Sequence, residues 1–117
     1  MKTQVKIYGI KNCDTMKKVR AWLDAHEITY AFHDYKIAGI AAEILENWVR
    51  QLGWEAVLNR AGTTFRNLPD ASKANLNASA AIALMQAQPG MIKRPILEWP
   101  GGVIAGFKAE IYETNLL

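Results

Sequence analysis

Apolar and polar residues alternate over Val5-Lys6-Ile7-Tyr8, a period of two that predicts a short strand ending at Gly9-Ile10-Lys11-Asn12. The period then changes. Met16, Val19, Leu23 and His26, with Trp22 beside them, recur at helical spacing, and Asp14 and Thr15 supply start signals ahead of them. Ile28-Thr29-Tyr30-Ala31-Phe32-His33 returns to the β-branched and aromatic residues of a strand. A strand, a helix and a strand within about thirty residues make a βαβ unit, whose strands run parallel through a right-handed crossover.

From Ile40 to Gln88 the chain is rich in Ala and Leu. Ile44, Leu45, Trp48, Val49 and Leu52 line one face of a helix that Gly53 can stop. A short helix over Trp54 to Leu58, a loop over Asn59 to Thr64, and a last helix follow. That helix is capped by Asn77, carries Ile82, Leu84 and Met85, and ends at Pro89-Gly90. Pro95-Ile96-Leu97-Glu98-Trp99 and Val103-Ile104-Ala105 flank Pro100-Gly101-Gly102, the signature of an antiparallel hairpin. Lys108 to Tyr112 reads as a short closing helix. The sum is an α/β chain, βαβ then a helical insertion then ββα, with a small mixed sheet and helices packed on it.

Composition narrows the classes of function. With 117 residues, half of them hydrophobic and 21% charged, the chain has the size of one domain and builds a core. The net charge of +3 is too small and scattered to signal a dedicated nucleic-acid binder, and no direct nucleic-acid binding is expected. Met1 to Tyr8 has no apolar segment behind it of the kind that a secretion signal needs, and no run approaches the ~18 apolar residues of a membrane span. One cysteine rules out an internal disulfide and fits a cytoplasmic protein, with a monomer as the default.

That cysteine, Cys13, falls where the first strand hands over to the first helix. The first turn of a helix offers unpaired N–H groups and the positive end of the dipole, both of which favour a thiolate. Lys11, Lys17 and Lys18 are expected to add positive charge and Asp14 to oppose it, with a lowered thiol pKa as the balance. The competing reading is a small buried hydrophobe. No cysteine follows three residues on (the run is Cys13-Asp14-Thr15-Met16), so a reactive Cys13 needs an external thiol to resolve it. His26 and His33 are too scattered to make a zinc site with Cys13. His33 is either a general base or, more simply, a partner of Asp34 or the backbone. Trp22, Trp48, Trp54 and Trp99 read as packing residues.

Ile7-Tyr8-Gly9-Ile10-Lys11-Asn12-Cys13-Asp14-Thr15 resembles the opening of the arsenate reductase (ArsC) and Spx family. Leu58-Asn59-Arg60, Ile92-Lys93-Arg94-Pro95 and Gly106-Phe107 fall where that family has its other marks. Phe32-His33-Asp34-Tyr35-Lys36, Gly53-Trp54-Glu55 and Gly62-Thr63-Thr64 are similar to its YffB-like branch. The resemblance covers nearly all of the single domain, residues 1–117. It implies a thioredoxin-like core of about 1–38 and 90–117, an insertion of about 39–89, and a cis peptide at Pro95. It also implies that Cys13 is the nucleophile and that Arg60, Arg94 and Pro95 bind substrate or glutathione; Lys11 and Asn12, adjacent to Cys13 along the chain, are the further candidates for that binding.

No bound cofactor is implied; glutathione is the implied co-substrate, a small-molecule or protein disulfide the substrate, and a glutaredoxin a further partner. Phe107 stands where the arsenate enzymes have a third arginine. Losing one of three charge-assisted contacts, each worth about 1.5–3 kcal/mol, counts against arsenate and for the branch's glutathione-dependent thiol reductases. An arsenate reductase and a non-catalytic, Spx-like protein-binding module remain the alternatives. The family's redox-switched regulators carry a second cysteine where this chain has Met16.

Overall fold

In the computed structural model, residues 4–117 are described; Met1 to Thr3, the start of the Met1 to Tyr8 segment weighed against a secretion signal, lie outside the described residues. Strands β1 (Val5–Gly9) and β2 (Tyr30–Asp34) are parallel and joined by helix α1 (Asp14–Ala25). Five helices follow: α2 (Tyr35–Ala38), α3 (Ala42–Leu52), α4 (Trp54–Val57), α5 (Thr63–Arg66) and α6 (Asp70–Lys73). Next come α7 (Ala78–Ala87), a 3-10 turn (Pro89–Met91), the hairpin β3 (Ile96–Trp99) and β4 (Gly102–Ala105), and α8 (Ala109–Leu116). The sheet order is β2-β1-β3-β4, with the last two pairings antiparallel. The mixed α/β fold read from the sequence is the fold observed.

Strand alternation sorts side chains onto two covered faces. Val5, Ile7 and Leu97 face α1 and α8, meeting Met16, Val19, Leu23 and Tyr112. Tyr8, Ile96 and Val103 face the insertion, meeting Leu45 and Trp48 of α3, Val57 of α4, and Ala81 and Met85 of α7. Glu98, one step along β3 from Leu97, joins that second face through two hydrogen bonds. Tyr8 Oη donates to its Oε1 at 3.0 Å and Trp48 Nε1 to its Oε2 at 2.6 Å. Trp48 is fully buried, and Trp22, Trp54 and Trp99 pack half-buried at the edges of the two clusters.

Several sequence expectations shift at their boundaries. The buried stripe of α1 stops at Leu23, because the chain turns through a left-handed Glu27 (φ 57°) just past the helix. His26 is therefore exposed, stacked on Trp22 at 4.0 Å. Asn77 caps α7, its side chain accepting from the Ala80 N–H at 2.8 Å, and Gly53 at φ 88° stops α3. The closing helix runs on to Leu116, since Tyr112 is buried and its hydroxyl donates to the Gly106 carbonyl. No helix among the described residues is long and apolar enough to cross a membrane.

Candidate active site at the start of the first helix

β1 ends on Gly9 because α1 comes too close for a side chain: a Cβ there would fall on the Sδ of fully buried Met16. Three residues later, half-buried Cys13 is the N-cap of α1, in extended conformation (φ −96°, ψ 136°), and its carbonyl accepts the first helical bond from Lys17 at 3.1 Å. The thiol makes no formed capping bond, but the N–H groups of Thr15 and Met16 point toward it. Burial pushes the Cys13 thiol up, whereas those two N–H groups and the Arg94 guanidinium together outweigh it, so the net shift is downward. The direction is the expected one, but the cause is not. Lys11, Lys17 and Lys18 are exposed and contribute nothing resolved at the sulfur, and neither does Asp14; the positive charge comes from Arg94. A lysine ammonium in solvent is screened, while a half-buried guanidinium beside the sulfur is not.

Arg94 reaches Cys13 because its backbone is fixed on both sides. Lys93 N–H donates to the Val57 carbonyl at 2.8 Å, and the Pro95 carbonyl accepts from Gly106 N–H at 2.8 Å. The Arg94–Pro95 peptide is cis and Pro95 is buried. Arg94 Nη1 donates to the Gly90 carbonyl at 3.2 Å.

Two neighbours are not among the site residues expected from the sequence. Tyr35 is fully buried, and its hydroxyl donates to the Ile92 carbonyl at 3.0 Å, close to both Arg94 and Cys13. Burial pushes its phenol up against the pull of Arg94, with the Cys13 charge adding to the rise, so the hydroxyl stays protonated. Asp34 accepts three backbone N–H groups. Its Oδ1 takes Lys36 at 2.9 Å and Ile37 at 3.3 Å, capping α2, and its Oδ2 takes Lys11 at 3.2 Å, tying down the loop before Cys13. The signal available was an Asp directly after a strand, a common cap position.

The remaining candidates lie further out. Lys11 and Asn12 are exposed on the loop, Lys11 engaged through its backbone. Arg60 is exposed over the Trp54 ring at 5.7 Å and lines a cavity of about 450 Å³ with Glu55 and Lys93. Arg94 instead lines a separate cavity of about 430 Å³ with Ile10, Lys36 and Thr64. His33 Nε2 bonds the Gly39 carbonyl at 2.8 Å; since a carbonyl only accepts, the neutral ring carries its proton there and that nitrogen is no base. Phe107 packs edge-on to Tyr112 at 4.9 Å, in the apolar cluster that also touches Cys13. A larger cavity of about 840 Å³ lies at the other end of the sheet, between Gln4, Thr29, Tyr30 and Pro100. Among the described residues, no group of three His, Cys, Asp or Glu is placed to hold a metal ion.

A cysteine at the N-cap of the helix that follows β1, an arginine before a cis proline beside it, and a helical insertion over one sheet face define an arsenate-reductase-like protein of thioredoxin-like fold. The ArsC family is matched over residues 8–115, and the chain belongs to that family. Among solved structures, a YffB protein is 56% identical, covering 97% of this chain and 99% of its own with a TM-score of 0.94. An arsenate reductase (ArsC) related protein from Brucella melitensis is 54% identical over 96% of this chain and 93% of its own, with a TM-score of 0.76. The global transcriptional regulator Spx of Listeria innocua is 25% identical over 80% of this chain and 72% of its own length.

Proposed function

We propose that the protein is a cytoplasmic, glutathione-dependent thiol reductase with Cys13 as its single nucleophile. The observation that carries this is the pairing of Cys13 with Arg94 at the start of α1, where the thiolate is favoured. In the first step, the Cys13 thiolate attacks the sulfur of a disulfide R–S–S–G, forming Cys13–S–S–G and releasing RS⁻. In the second, a glutathione thiolate attacks that mixed disulfide, giving oxidised glutathione and regenerating the Cys13 thiolate. The net exchange is R–S–S–G + GS⁻ → RS⁻ + G–S–S–G: the sulfur of the incoming glutathione is oxidised to the disulfide level as the substrate sulfur is reduced to its thiolate, and Cys13 ends as it began. The external thiol is required because the sequence holds one cysteine. A glutaredoxin is a further candidate for the second step, and oxidoreductase chemistry of this type fits the arsenate-reductase-related structures the chain is similar to.

An arsenate reductase is the second reading, favoured by the same Cys13–Arg94 pair and opposed by Phe107. Its ring sits among Trp22 and Tyr112 and offers an oxyanion no donor. A regulator switched by two cysteines is disfavoured, because Met16 fills the second position and is fully buried.

The test is the rate of Cys13 alkylation against pH. An activated thiol gives a midpoint below that of free cysteine, and Arg94→Ala moves the midpoint upward. A wild-type midpoint at or above about 8.5 overturns the reading. Turnover with glutathione against a mixed-disulfide substrate, and its absence with arsenate, separates the two enzyme readings.

A further inference from the structure

One cavity is shared with the thiol's own partner. Arg94 both flanks the Cys13 sulfur and lines the cavity of about 430 Å³ that runs from Ile10 past Lys36, Thr64 and Gln88 to Gly90. That volume is in the range of sites for small ligands. Its charge is one-sided: Lys36 and Arg94 line it, and no Asp or Glu does. Asp34, two residues before Lys36, has both oxygens engaged by backbone N–H groups. The cavity beneath Arg60 differs, since Glu55 shares its wall with Arg60 and Lys93.

We infer that the cavity between Arg94 and Lys36 receives the carboxylate-bearing end of the thiol that resolves Cys13, making Lys36 a residue that selects anionic over neutral thiols. The inference rests on the reductase reading and adds to it the subsite and the residue that recognise the thiol co-substrate. A thiol attacking Cys13 places its sulfur beside Arg94, and the rest of the molecule has this cavity open to it. A carboxylate there meets two cations, while Thr64, Gln88 and the adjoining Asn59 offer hydrogen bonds to amide groups. A neutral thiol gains none of the charge-assisted contacts and leaves Lys36 to solvent.

The experiment uses the full chain with Cys13 converted to its 2-pyridyl disulfide, whose leaving group is uncharged. Pyridine-2-thione release is followed with glutathione and with glutathione diethyl ester, each rate expressed per thiolate. Glutathione is expected to be faster than its ester by about fivefold, falling toward equality at high salt. Lys36→Glu is expected to abolish that preference. Arg50→Glu, the same charge change on exposed α3, is expected to keep it. Thermal melts of both variants establish that they are folded. Equal rates for glutathione and ester in the wild type, or a preference that survives Lys36→Glu, overturn the inference while leaving a reductase. Release by either thiol no faster than from the unfolded chain overturns the reductase reading and the inference with it.

Discussion

Asp34 holds the loop that carries the nucleophile, and its two oxygens do separate jobs. Oδ1 caps α2 through Lys36 and Ile37, while Oδ2 binds the Lys11 N–H two residues before Cys13. Asp34→Ala removes both functions. The lost cap costs about 1 kcal/mol and the lost Lys11 bond about 1 kcal/mol, with no full burial penalty because these N–H groups lie near solvent. The sum of about 2 kcal/mol corresponds to a fall in Tm of about 8 °C for a domain of this size. Asp34→Asn is the discriminating variant. Its one carbonyl oxygen can keep the cap, but its NH2 then faces the Lys11 N–H, donor against donor. It is therefore expected to lose about half as much stability as the alanine variant, and to change the alkylation rate of Cys13 all the same. Thermal denaturation by circular dichroism, paired with alkylation kinetics, measures both. An Asp34→Ala melt within about 2 °C of wild type refutes the stability argument. An Asp34→Asn protein that melts and reacts like wild type refutes the link between Oδ2 and the reactive loop.

Further outcomes follow from the buried polar groups. Burial raises the phenols of Tyr8, Tyr35 and Tyr112, with Glu98 adding to the rise at Tyr8. Their folded pKa values thus exceed the unfolded value of about 10, so this stabilisation is complete below pH ~10 and is lost as pH climbs above it. Tyrosinate absorbance followed with circular dichroism should show most of the four tyrosines ionising together with unfolding; full titration near pH ~10 with the fold intact would contradict this. Glu98→Ala strands both the Tyr8 hydroxyl and the Trp48 indole N–H between sheet and insertion, and is expected to cost about 2–4 kcal/mol in urea denaturation. Glu98→Gln keeps one acceptor and should cost less; the reverse order would show that the carboxylate does not bridge them.

What the sequence made legible was whatever repeats within one element. The period of two over Val5 to Tyr8, the period of 3.6 through Met16, Val19 and Leu23, and the turn Pro100-Gly101-Gly102 each depend on neighbours a few residues away, and each is where it was read. Asn77 and Gly53 were legible for the same reason, since caps and stops are local chemistry. The four-residue helices α2, α5 and α6 were not: one turn offers no period to detect, and unlike α4 none of them follows directly on a glycine that stops a longer helix.

The candidate site divides along the same line. Cys13 is placed by a strand-to-helix junction that can be read from seven or eight residues, so the nucleophile was visible. What favours its thiolate is contributed from elsewhere: Arg94 arrives on a segment clamped between Val57 and Gly106, and Tyr35 completes the wall through Ile92. Lys11, Lys17 and Lys18 are close to Cys13 in sequence, yet proximity along the chain leaves them in solvent. Electrostatic influence depends on distance and burial in three dimensions, and a guanidinium arriving from far along the chain outweighs ammonium groups two to five residues away. The same logic explains why Lys36 went unweighed. It stands in a motif beside Tyr35, and only the fold makes it line the same cavity as Arg94, one with no acidic side chain in its wall.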